Sequence, residues 1–219
     1  MAERHLDVWL ERGRTRTFAI PSAWPGWARS ARTKDGDEAA IEALLSYAPR
    51  YAVVADRAGI AFDGDTDTAV RVVGECVGTT TTDFGAPDVV LPFDAPASAA
   101  TARRDLERQV ALLRAAWDLF DEVSDAAPAE LAKGPRGGGR DTAKVVGHVV
   151  EAERAYARKV GVRHPPFDPA DRRLRQALHD AEAAAYLADD ASAQWPARYA
   201  LRRTAWHVLD HVWEIQDRS

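Results

Sequence analysis

The chain has 219 residues, 46% of them hydrophobic and 29% charged, the balance of a globular protein with a buried core rather than of a disordered segment. A formal net charge of -5 argues against a protein that coats nucleic-acid phosphates, and no run approaches the roughly 18 apolar residues that cross a bilayer, so neither nucleic acid nor membrane is an expected partner. The single cysteine, Cys76, has no intrachain partner, and the first residues lack the apolar region of a signal peptide, so the cytoplasm is the expected compartment.

In chain order, Leu6 to Leu10 alternates apolar and polar residues, Arg12-Gly13-Arg14 supplies a turn, and Thr15 to Ile20 alternates again. That pattern predicts a hairpin. Pro25-Gly26 between Trp24 and Trp27 marks a corner, and Trp27 to Arg32 is read as a third strand. Asp37 is read as the cap of a helix with Ala40, Leu44, Tyr47 and Ala48 at helical spacing, after which Pro49 ends it or starts a short second turn. Val70, Val72 and Val73 mark a further strand running to Cys76, which is expected to be a buried residue. Strands, a Pro-Gly corner and then a helix resemble the HicB-like fold, which implies a small sheet-plus-helix module over residues 1–78.

Residues 79–99, rich in Thr, Gly, Pro and Asp, read as a linker that partly packs on its neighbours. Asp83-Phe84-Gly85 imitates a kinase metal-binding tripeptide, but no accompanying kinase motif exists. Past Thr101 the period changes: Leu106, Val110, Leu113, Trp117 and Phe120 form one helical stripe. Pro128 and the segment Lys133 to Arg140 interrupt it. Asp141 then caps a helix with Val145, Val149, Ala152, Tyr156 and Val160 on its apolar face. A third helix from about Pro169 to Leu187 is given the stripe Leu174, Leu178, Ala181 and Ala185, and a fourth follows Pro196 through Leu201, Ala205, Val208, Val212 and Ile215. The expected class is α+β: a small module, a linker, and a four-helix bundle over residues 100–219.

The chemistry-bearing residues lie on the second and fourth bundle helices. His207 and His211 are four residues apart, on nearly one face, and His148 lies offset from its own apolar stripe by a similar angle of roughly 60° to 80°. Packing the stripes together turns all three toward one cavity, where three imidazoles can hold zinc or nickel and leave a position open. Glu151 and Glu214 each follow a candidate ligand by three residues and can orient an imidazole. Arg136, Gly137 to Gly139 and Arg140 open the second helix with N–H groups and guanidinium charge suited to an anion, which makes Arg140 the candidate substrate contact. Asp210 sits further round its helix, His5, His164 and His179 are assigned to surface or loop positions, and Trp117, Trp206 and Trp213 to packing.

Gly147-His148-Val-Val-Glu151-Ala-Glu153-Arg-Ala-Tyr156 and Trp206-His207-Val-Leu-Asp-His211 resemble the two motifs of the DinB-like family of metal-binding four-helix bundles. The resemblance implies a metal held by His148, His207 and His211 and, in some members, a low-molecular-weight thiol activated for transfer or isomerisation. The expected function is accordingly a metal-dependent enzyme of the thiol transferase, isomerase or hydrolase type acting on a small molecule, as a monomer or homodimer. The alternative is a non-catalytic regulatory protein whose HicB-like module binds a partner.

Overall fold

In a computed structural model the described residues are 5–95, 99–133 and 141–219, with backbone alone for 99–102. The chain divides into two compact units, Met1–Ala95 and Pro96–Ser219. Among the described residues, no helix is long and apolar enough to cross a membrane.

The first unit is a four-stranded mixed sheet with helices. Strands β1 (Leu6–Arg12) and β2 (Arg16–Pro21) form the expected hairpin, with Trp9 opposite Ile20 and Glu11 opposite Phe18. β3 (Arg29–Arg32) adds outside β2, and β4 (Val70–Val77) adds parallel to β1, which gives the order β3-β2-β1-β4. Helices α1 (Asp37–Leu45) and α2 (Ala48–Arg57) carry the chain across from β3 to β4. Gly74 lies beside Trp9 in the register and leaves room for its indole, since an added Cβ would stand 2.5 Å from the ring and force it to shift.

Three expectations for this unit change. Trp27 precedes the third strand, stacking on Tyr51 at 5.5 Å between centroids and donating from Nε1 to the Leu44 carbonyl at 3.0 Å. The Pro-Gly corner thus serves an aromatic core rather than a strand. Cys76 is half-buried, because β4 is an edge strand.

The third change concerns residues 79–95, which belong to the first unit instead of linking two others. Thr79 caps the short helix α3 (Thr80–Phe84), whose Asp83 accepts from the Thr15 amide at 2.8 Å. Glu11 is fully buried in β1 and accepts from the Thr82 hydroxyl at 2.5 Å and from the amides of Asp88 at 2.8 Å and Val89 at 3.2 Å. A buried carboxylate requires such donors, and a loop-like stretch supplies them here.

The second unit contains α4 (Ala99–Ala126), α5 (Thr142–Ala157), α6 (Arg172–Ala188) and α7 (Ala197–Arg218), and its described residues include no strand. Asp171 caps α6 by accepting from the Leu174 amide at 3.0 Å. Leu106, Val110, Leu113, Trp117 and Phe120 on α4 and Leu201, Ala205, Val208, Val212 and Ile215 on α7 are all buried. Helix α7 packs against α4, α5 and α6, and every residue from Ala197 to Leu209 is buried. Polar side chains between Ala197 and Leu209 are therefore enclosed whichever way they face, whereas Gln216 and Asp217 near the end of α7 are exposed.

A candidate metal centre

His207 and His211 stand one turn apart on α7, with ring centroids 4.7 Å apart, and His148 of α5 meets them at 5.1 and 5.0 Å. The His148 and His207 Nε2 atoms are 3.2 Å apart, and one nitrogen from each of the three rings lies within 4.8 Å of the others. His207 and His211 are 7% and 8% exposed, and His148 is half-buried. Tetrahedral zinc with bonds of about 2.0 to 2.1 Å places ligand nitrogens roughly 3.3 Å apart, so the donor set and its spacing suit such an ion. Imidazole nitrogens are also the borderline donors that zinc and nickel favour.

The His211 ring is held from behind. Its Nδ1 lies 2.7 Å from Glu214 Oε2, and Arg218 pairs with the other oxygen of Glu214. The bond to His211 holds the Glu214 carboxyl below its ordinary range, with the charge of Arg218 acting in the same direction against partial burial. An ionised Glu214 only accepts, so Nδ1 of His211 donates and Nε2 is left with its lone pair for the cluster. Tyr156 of α5 packs edge-on against His207, its centroid 5.8 Å away.

The other residues singled out from the sequence fall elsewhere. Glu151 is exposed and, among the described residues, bonds to no histidine: three residues advance a helix by about 300°, which here carries the side chain to solvent. Arg136, Gly137 to Gly139 and Arg140 lie outside the described residues. His5 is exposed and His164 lies in the loop after α5. Trp117 and Trp213 are buried, and Trp206 packs beside His207 with ring centroids 6.3 Å apart.

His179 departs from its surface assignment. It is buried on α6, stacked on Trp117 with centroids 4.0 Å apart, and its Nε2 lies 3.5 Å from Glu153 Oε2. Glu153 also accepts from Trp117 Nε1 at 2.5 Å. Glu182, one turn along α6, is fully buried, and neither of its oxygens has a hydrogen-bond partner among the described residues. Burial first, then the negative charge of Glu153, pushes the Glu182 carboxyl well above the ordinary carboxylate range. Tyr186 follows, its hydroxyl 3.1 Å from Thr204 Oγ1, and burial raises its phenol in turn.

The sequence conceals this interior cluster, because Ala181 and Ala185 complete an apolar stripe on α6 one position away. The buried residues are Arg175, Leu178, His179, Glu182, Ala183 and Tyr186, a face rotated by one position from Leu174, Leu178, Ala181 and Ala185. The spacing Leu178, Glu182, Tyr186 and the spacing Val149, Glu153 were present as signals, but acidic residues are ordinarily assigned to solvent.

The arrangement thus combines a three-imidazole cluster, one oriented ring, and enclosed aromatic walls. Compared with protein-family models, with curated proteins and with solved structures, the chain finds no match.

Proposed function

We propose that the chain is a divalent-metal protein of the DinB-like kind, with His148, His207 and His211 as ligands for zinc or nickel, and a metal-dependent enzyme of the thiol transferase, isomerase or hydrolase type. The observation that carries this reading is the approach of one nitrogen from each of the three rings to within 4.8 Å of the others, with Glu214 occupying Nδ1 of His211 and so leaving Nε2 as its ligand atom. The motif resemblance at Gly147 to Tyr156 and at Trp206 to His211 supports it independently of the geometry.

A divalent ion at this position supplies Lewis-acid chemistry, lowering the pKa of a coordinated water or thiol so that the nucleophile exists at neutral pH. The chain's own residues perform the rest. Glu214, braced by Arg218, fixes the tautomer and angle of His211. Tyr156 and Trp206 flank His207 and exclude bulk water from that side. Three protein ligands would leave a coordination position for a small-molecule substrate, as in reactive rather than structural zinc sites.

A second reading is a non-catalytic partner-binding protein with a HicB-like first unit and a metal-stabilised bundle. It draws on the exposed apolar side chains Val72, Val73 and Val77 of edge strand β4. The two readings separate on metal analysis followed by a screen for thiol-dependent and hydrolytic turnover, with His207→Ala as control. Turnover that needs metal and His207 supports the enzyme, whereas stoichiometric metal without turnover favours the second reading.

A further inference from the structure

We propose that Arg203 is a substrate-binding residue of the metal centre and that the substrate carries a carboxylate. This rests on the metal reading above and adds to it the chemical class of the ligand.

Arg203 lies on α7 four residues before His207, hence on nearly the same face and one turn, about 6 Å, along the axis. Its guanidinium carbon stands 4.8 Å from the Trp206 ring centre and 5.4 Å from that of Tyr156. Those two rings also flank His207, at 6.3 and 5.8 Å between centroids. The arginine and the ligand histidine therefore share their aromatic walls.

The arginine is 7% exposed, and its Nε and Nη1 are buried with no hydrogen-bond partner among the described residues. Two other buried arginines of the same unit keep an unpartnered Nε as well, but each has a carboxylate on its terminal nitrogens. Arg175 holds Asp121 at 2.8 Å and Arg198 holds Asp105. No carboxylate among the described residues pairs with Arg203 in this way. A guanidinium keeps its charge at every relevant pH, so removing it from water without a counter-charge is costly. Aromatic contact offsets part of that cost through the ring faces, but it leaves the N–H donors, which lie in the guanidinium plane, without acceptors. A planar carboxylate meets them in a fork-to-fork pair. Such a charge one turn from the three imidazoles is what a site needs to seat an anionic small molecule with its reacting end at the histidines.

The test is calorimetric titration with 3-mercaptopropionate, 2-mercaptoethanol and inorganic phosphate, on cobalt-loaded protein and on protein stripped of metal. Wild type, Arg203→Met and Arg203→Lys are compared, with cobalt content and thermal midpoint measured for each. In wild type the mercaptocarboxylate should bind at least about tenfold more tightly than the neutral thiol. That preference should disappear in Arg203→Met and survive in part in Arg203→Lys, with cobalt content unchanged and the Arg203→Met midpoint equal or higher. Equal binding of the two thiols by wild type, or the same preference in Arg203→Met, overturns the inference while leaving the metal reading intact. Phosphate binding in preference to the carboxylate overturns the assignment of ligand class. If Arg203→Met does not fold, Arg203→Lys decides: wild-type preference together with a lowered midpoint marks a packing arginine and overturns the inference. If wild type takes up neither cobalt nor zinc nor nickel, the metal reading fails by itself. The stripped protein then decides the arginine: Arg203-dependent mercaptopropionate binding sustains its role, and no binding overturns it.

Discussion

Two fully buried glutamates, Glu11 in the sheet unit and Glu182 in the helical unit, meet opposite environments. Glu11 accepts one hydroxyl and two amide donors, all from residues 82–89, and so fastens a loop-like stretch to β1. Glu182 has no hydrogen-bond partner among the described residues and faces the charge of Glu153. A satisfied buried charge specifies local structure, whereas an unsatisfied one stores a cost that folding alone does not explain. The sheet unit thus uses its buried acid as a fastening, and the helical unit keeps polar groups in reserve around three histidines.

The largest effect expected from this contrast is at Glu11. Replacing it with alanine leaves the Thr82 hydroxyl and the Asp88 and Val89 amides without their acceptor, and should cost about 3–5 kcal/mol. The shift of the sheet unit's urea transition measures it, and a loss below about 1 kcal/mol would erase the distinction between the two glutamates.

Next in size is Glu214→Gln. Loss of the charged acceptor behind His211 should weaken zinc binding by about 10- to 100-fold, as outer-shell replacements do. A competition assay with a chromogenic chelator reads this directly. Unchanged affinity would mean that His211 is oriented by packing alone.

The smallest effects are in the pH dependence of stability, where Glu214 and Glu182 act with opposite signs. The lowered carboxyl of Glu214 contributes stability above its unfolded value of about 4.3, which is lost as pH falls through the folded value. The raised carboxyl of Glu182 contributes stability below about 4.3, which is lost as pH rises through its folded value. Glu182→Gln should therefore raise the thermal midpoint at pH 8 and leave it nearly unchanged at pH 4. A midpoint lowered at pH 8 would show that ionised Glu182 is satisfied in the fold.

Much of the second unit was legible in sequence because its stripes are chemically plain. The apolar sets on α4 and α7 are all buried, and the helix-starting signals at Asp141 and Pro196 fall where α5 and α7 begin. On α6 the reading slipped by one position, because Glu182 and Tyr186 occupy the face assigned to Ala181 and Ala185. In the sheet unit the hairpin followed from alternation, but the parallel pairing of β1 with β4 joins residues about sixty apart, and no local pattern encodes it. Residues 79–95 read as a linker since their role lies in donors offered to Glu11, which composition does not register. At the site, the i, i+4 spacing of His207 and His211 and the offset of His148 placed three rings on facing helices. Arg203 escaped notice because only the fold shows a charged residue enclosed on every side of α7.

The central claim is that these three rings share one ion. Elemental analysis of the protein after exposure to zinc and desalting, for wild type, His148→Ala and His207→Ala, tests it most directly. The account predicts about one equivalent per chain in wild type and loss of most of it in either variant, with a lower thermal midpoint for wild type once the metal is stripped. No stoichiometric zinc or nickel in wild type, or wild-type metal content in either variant, would contradict it.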